Sequence, residues 1–131
     1  SKYVNKIYGF ELVAAAIKDA KRNAELNNVE NAFFFEGNLD SLLRDKDNMK
    51  NVCDPDIIVV DPPRAGLHKN TIEDILSKFP PKIIYVSCNP STQARDVEIL
   101  CREFYDLVNL RPVDMFPHTP HVENVATLIR R

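Results

Sequence analysis

The 131-residue sequence predicts an open α/β fold: a mostly parallel sheet with helices on both faces. Three observations lead there. Ile57-Ile58-Val59-Val60 and Ile83-Ile84-Tyr85-Val86 are short, continuous apolar runs of the kind that strands covered on both faces require. Segments with apolar residues at helical spacing alternate with such runs. Finally, the polar or reactive residues Glu11, Asn38, Asp61 and Cys88 each fall just after a strand run, where sheets of this type bind their ligands.

Each element has its own signal. Ser1 to Asn5 reads as the tail of a helix, and Lys6 to Phe10 as a short strand. Val13, Ala16, Ile17, Ala20 and Ala24 recur at helical spacing among Lys18, Lys21, Arg22 and Glu25, and Asn27-Asn28 closes that helix. Ala32 to Phe35 reads as a buried strand, and Leu39 to Arg44 as the start of a helix fading into the polar stretch Asp45 to Asn51. After the strand Ile57–Val60, a helix is expected over Thr71 to Phe79, stopped by Pro80-Pro81. The strand Ile83–Val86 leads to a helix over Thr92 to Phe104, with Ala94, Val97, Leu100 and Cys101 on its inner face. Strands around Leu107–Leu110 and Val122–Ile129 finish the chain.

Composition narrows the function. A length of 131 residues suits one domain, and 44% hydrophobic with 27% charged residues is ordinary globular stock. The net charge of −2 and pI near 5.9 argue against autonomous nucleic-acid binding, which phosphate neutralisation normally drives. No apolar run is long enough for a membrane span and no signal-peptide pattern opens the chain. Cys53, Cys88 and Cys101 are odd in number and form no CxxC pair, so a reducing, cytoplasmic setting is expected, with no disulfide framework and no thiolate metal site. His118 and His121 are three apart, but Pro117 and Pro120 prevent the helix that would aim both at one metal.

Three constellations carry chemistry. In Asp61-Pro62-Pro63-Arg64-Ala65-Gly66 two prolines fix an extended backbone at a strand tip, and Arg64 offers a planar fork of donors for phosphate or carboxylate. A plain proline-rich turn would look the same. Ser87-Cys88-Asn89-Pro90 places a thiol at the next strand tip, either as a nucleophile favoured by the following helix amides or as a structural cysteine. Cys53, in a polar loop, and Cys101, on a helix core face, fit the structural role better. Val113 to Glu123 is a loop with two prolines that delivers Glu123 to a strand start, as a general base or as an ordinary edge-strand carboxylate. His121 suits an orienting hydrogen bond better than catalysis.

As ordered blocks, Asp61-Pro62-Pro63-Arg64-x-Gly66, Ile83-Ile84-Tyr85-x-Ser87-Cys88-Asn89-x-x-Thr92 and Asp114-x-Phe116-Pro117-x-Thr119-x-His121-x-Glu123 resemble the S-adenosylmethionine-dependent RNA uracil-C5 (5-methyluridine) methyltransferase family, over essentially the whole chain. Asp114 to Thr119 is more similar to the bacterial 23S ribosomal RNA branch than to the transfer RNA branch. The resemblance implies a Rossmann-like class I methyltransferase domain. It makes Cys88 the nucleophile that adds to uracil C6 and Glu123 the base that removes the C5 proton. It assigns Glu11 to the cofactor ribose, Asn38 to the adenine side and Asp61 to the methionine side. Glu11 could also be a helix-start carboxylate. Arg64 and His121 remain candidates for RNA or substrate contact, with an internal ion pair the other possibility for Arg64. The target base must be splayed out of its stack, at a cost of about a few kcal/mol.

One departure from the family shapes the expectations. Relatives carry a glycine-rich loop after a central strand, whereas the three glycines here, Gly9, Gly37 and Gly66, form no such run. Residues 1–131 are therefore expected to be the C-terminal part of a longer catalytic domain, lacking its first, central strand. Weak or no cofactor binding and no turnover are expected of it alone. RNA would be held mainly by modules outside these residues, where any iron–sulfur cysteines would also lie. An unpaired sheet edge would favour dimerisation or swapping. Two alternatives compete: an amino-group methyltransferase acting on guanine or adenine through the Asp-Pro-Pro turn, and a non-catalytic α/β remnant serving as an interaction module.

Overall fold

The structure is a computed structural model that describes residues 2–37, 52 and 54–131. Asn38, Cys53 and the helix expected from Leu39 lie outside the described residues. The chain forms two compact units, Ser1–Cys53 and Asp54–Arg131.

In the first unit, strand β1 (Ile7–Glu11) pairs in parallel with β2 (Ala32–Glu36), and helix α1 (Ala14–Leu26) connects them. The residues before β1 make a turn rather than the expected helix tail. Helix α1 begins without a side-chain cap and buries Ile17, while Val13 and the expected face residue Ala16 stay exposed. The other face of the pair is an aromatic ladder, with Phe10 on Phe35 at 5.3 Å and Tyr8 on Phe33 at 5.7 Å. Gly9 lies opposite Phe34, whose ring would sit 2.9 Å from any added Cβ.

The second unit holds a four-stranded sheet in the order β3-β4-β6-β5: β3 (Ile57–Val60), β4 (Lys82–Ser87), β6 (Glu123–Arg130) and β5 (Tyr105–Val113). Strands β3 and β4 are parallel, and β6 runs against both β4 and β5. Among the described residues no strand pairing joins this sheet to the β1–β2 pair.

Helices α2 (Lys69–Lys78) and α3 (Pro90–Cys101) share one core with the sheet. His68 caps the start of α2, and Phe79 ends it in the left-handed conformation ahead of Pro80-Pro81. Asn89 caps α3 and Pro90 opens it, two residues before the expected Thr92; the helix stops at Cys101, short of Phe104. Ile72, Ile75, Val97 and Leu100 pack on Val60, Ile83, Tyr85, Ala126 and Leu128, each large aliphatic side chain contributing about 1.5–3 kcal/mol.

Because both helices lie over this single core, β4 alternates instead of being buried throughout: Ile83, Tyr85 and Ser87 point inward, and Ile84 and Val86 are half-buried. Ile57 and Val59, on the other face of β3, are 45% and 63% exposed. Strand β5 tolerates Pro112 because it lies at the sheet edge.

Candidate active site

The sheet of the second unit presents three loops at the end where β3 and β4 finish and β6 starts. The loop after β3 is held by its backbone. Asn89 Nδ2 and Thr92 Oγ1 both donate to the Arg64 carbonyl, at 3.0 and 3.1 Å, and Gly66 N donates to Pro63 O at 2.8 Å. Gly66 has φ +81°, and a Cβ there would meet Asp96 Oδ2 at 2.5 Å and an Arg95 nitrogen at 2.7 Å, so only glycine fits. The Arg64 guanidinium reaches the third loop, donating to His121 Nδ1 at 3.2 Å. That bond requires the neutral ring carrying its proton on Nε2. Among the described residues the partner of the Arg64 guanidinium is thus an imidazole. Within the third loop Thr119 donates to Phe116 O and accepts from His121 N, and His118 takes φ +68°.

Beneath these loops lies a set of buried polar side chains. Asp96 is fully buried, and its Oδ2 accepts from Leu67 N and the Tyr85 hydroxyl, both at 2.7 Å. Its Oδ1 takes two donors from Arg95, whose guanidinium also donates to Ala65 O. Burial, and then the Asp96 hydrogen bond, push the Tyr85 phenol far above its ordinary range. Gln93, 2% exposed, donates to Tyr85 O at 2.8 Å and Asn124 O at 3.1 Å and accepts from Asn124 Nδ2. Ser87 Oγ accepts from Asn89 N and donates to Asn89 O. The inner face of α3 is thus Gln93, Asp96, Val97 and Leu100, and the expected Ala94 is exposed. The helical spacing holds, with two polar residues turned inward where it places the apolar Ala94. Their partners lie on other elements, so helical spacing alone does not mark them.

Among the predicted site residues, Cys88 is half-buried at the tip of β4, immediately before the Asn89 cap of α3. Glu123 opens β6 and is also half-buried. The β4–β6 ladder ends at Ser87↔Asn124, so Cys88 and Glu123 are the next positions outward on neighbouring antiparallel strands. Asp61 is exposed directly after β3. Glu11 belongs to the first unit, where its Oε1 accepts from Val13 N at 2.9 Å, as a helix-start carboxylate does, and its own carbonyl accepts from Gly37 N. Cys101 packs against the core with its thiol pushed up by burial, in keeping with a structural role. Among the described residues no group of His, Cys, Asp and Glu could hold a metal, and no helix is long and apolar enough to cross a membrane.

The crystal structure of Pyrococcus abyssi tRNA (uracil-54, C5)-methyltransferase in complex with S-adenosyl-L-homocysteine superposes with a TM-score of 0.77 at 42% identity, over 95% of this chain and 29% of that one. An rRNA methylase from Streptococcus thermophilus shares the Rossmann-like fold at a TM-score of 0.67 and 11% identity, over 95% of this chain and 73% of that one. An uncharacterized RNA methyltransferase of Porphyromonas gingivalis is 47% identical over 127 residues, which are 96% of this chain and 27% of that protein. One of Bacteroides thetaiotaomicron is 46% identical over 128 residues, 98% of this chain and 28% of that protein. The chain therefore spans little more than a quarter of the length of these curated relatives. The family model described as tRNA (Uracil-5-)-methyltransferase matches residues 1–131, and the chain belongs to that family.

Proposed function

We propose that this chain is the C-terminal part of the catalytic domain of a longer RNA methyltransferase, which transfers a methyl group from S-adenosylmethionine to C5 of a uridine through a covalent adduct on Cys88. The observation that carries the reading is the β4–β6 register, in which a thiol and a carboxylate follow one closed pair of strand ends. Family membership favours it over methylation of an exocyclic amino group.

The chemistry uses the chain's own residues in sequence. The Cys88 thiolate bonds to uracil C6, and the C5–C6 π pair moves onto C5 and the adjacent carbonyl. When bound, S-adenosylmethionine would supply the methyl group that C5 takes, its sulfonium sulfur keeping the S–CH3 bonding pair and leaving as S-adenosylhomocysteine. Glu123 then takes the C5 proton, the C–H pair re-forms the C5–C6 double bond, and the Cys88 sulfur leaves with its bonding pair. Arg64 and His121, tied together beside this end of the sheet, serve the RNA or the uracil.

For the cofactor, the residues present have suitable chemistry. One Glu11 carboxylate oxygen is engaged by Val13 N, leaving the second to accept from ribose hydroxyls. Asp61 is assigned to the methionine side and Asn38 to the adenine side. The fragment alone is expected to bind cofactor weakly and not to turn over.

The proposed target is 23S ribosomal RNA, on the similarity of Asp114 to Thr119 to that branch; transfer RNA, named for the Pyrococcus neighbour, is the other candidate. Nucleoside analysis of RNA treated with the full-length enzyme tests the reading. It should yield 5-methyluridine, lost in Cys88→Ala, whereas Glu123→Gln should accumulate a methylated covalent adduct on ordinary RNA. A methylated guanine or adenine that survives Cys88→Ala would refute it. Purified ribosomal and transfer RNA substrates distinguish the targets.

A further inference from the structure

Resting on that reading, we infer that Gln93 is a positioning residue that, through Asn124, clamps together the strand ends bearing Cys88 and Glu123. The last residues of a sheet ladder are ordinarily its loosest. Here the last pair, Ser87↔Asn124, has Gln93 beneath it. One carboxamide nitrogen donates to a carbonyl on each strand, Tyr85 O at 2.8 Å and Asn124 O at 3.1 Å, while the carboxamide oxygen accepts from Asn124 Nδ2.

Both side chains are buried, Gln93 at 2% and Asn124 at 7% exposure, and a buried leucine or methionine at either position would need no hydrogen-bond partner. A matched pair of buried amides in an apolar core fixes geometry at the expense of a simpler packing solution. On β6 it holds Asn124, the residue after Glu123, and on β4 it holds Tyr85, three residues before Cys88. The proposed reaction needs the sulfur held at C6 and the carboxylate at the C5 proton, so a loosened ladder end slows both addition and elimination.

The test uses the full-length enzyme with Gln93→Met, close to isosteric but unable to bridge the strands. The kcat for methylation should fall about 10- to 100-fold, the size of effect that misplacing a reacting group by roughly 1 Å produces. KM for RNA and for S-adenosylmethionine should stay within about twofold, since neither contact is made by Gln93. Asn124→Leu should give the same kcat loss, and the double variant no more than either, because both break one unit. Thr71→Val, buried on α2, should leave kcat unchanged.

Wild-type kcat in folded Gln93→Met would overturn the inference. So would a loss explained wholly by a lower Tm, or failure of both single variants to fold, each of which makes the pair structural. Absence of Cys88-dependent methylation in the wild type would instead remove the underlying functional reading.

Discussion

Two fully buried tyrosines in one sheet, Tyr85 and Tyr105, show how differently the two ends of the second unit are built. Tyr85 donates to the Asp96 carboxylate, which also holds Leu67 N and Arg95, and through them the loop that carries Asp61 and Arg64. Tyr105 donates to a single neutral carbonyl, Pro80 O, at 2.9 Å. Its surroundings are aromatic edges and a cation: Phe79 meets Phe104 at 5.6 Å, and Arg130 lies 4.8 Å over Phe79 while donating to its carbonyl. At the base of the sheet, losing the Tyr105 hydrogen bond leaves one neutral carbonyl unpaired and no charge. The loop end depends on a charge-centred network in which removing one member leaves several others buried and unsatisfied. That arrangement is costly for stability and suits a site whose loops must not drift.

The largest expected effect is at the centre of that network. Asp96→Ala should destabilise by about 3–5 kcal/mol, because it leaves the Tyr85 hydroxyl and Leu67 N without an acceptor in the interior at about 1–3 kcal/mol each, while the half-exposed Arg95 turns to water. Urea titration gives the value, and methylation should fall with it. Gly66→Ala should cost about 2–4 kcal/mol, from its positive φ and the clash with Asp96, and is read by the same titration.

Replacing Tyr85 by Phe should cost about 1.5–3 kcal/mol, the range for a hydrogen bond to a charged group, and Tyr105→Phe only about 0.5–1.5 kcal/mol. Equal values for the two would erase the contrast between the sheet ends. Both phenols are held above their ordinary value of 10.0 in the folded state. The folded chain therefore keeps protons that the unfolded chain gives up, and stability is full below pH 10 and declines as pH rises beyond it. Tyr85→Phe should flatten that alkaline decline, seen as Tm against pH. The smallest effect belongs to the exposed Arg131–Asp106 pair, where Asp106→Asn should change stability by about 0–1 kcal/mol.

Much of this was legible in the sequence, for identifiable reasons. Strand β3 was bounded correctly because four apolar, mostly β-branched residues stand between turn-formers, and α2 and α3 were found from their spacing and prolines. The placement of Cys88 at a strand tip and Glu123 at a strand start follows from those boundaries. What pattern could not supply was the interior role of Gln93, Asp96 and Asn124. A polar residue reads as solvent-facing unless its partner is known, and the partners lie 8 to 31 residues away. The alternation of β4 escaped for a related reason: an apolar run implies two covered faces, whereas both helices of this unit share one core.

The most direct test of the central claim is intact-mass analysis of the full-length enzyme after incubation with S-adenosylmethionine and RNA containing 5-fluorouridine. Fluorine at C5 cannot be removed as a proton, so the reaction should stop with methylated RNA bonded to the protein through Cys88, and the adduct should vanish in Cys88→Ala. Methylation of ordinary RNA with no such adduct, or an adduct that persists without the Cys88 thiol, would contradict the account.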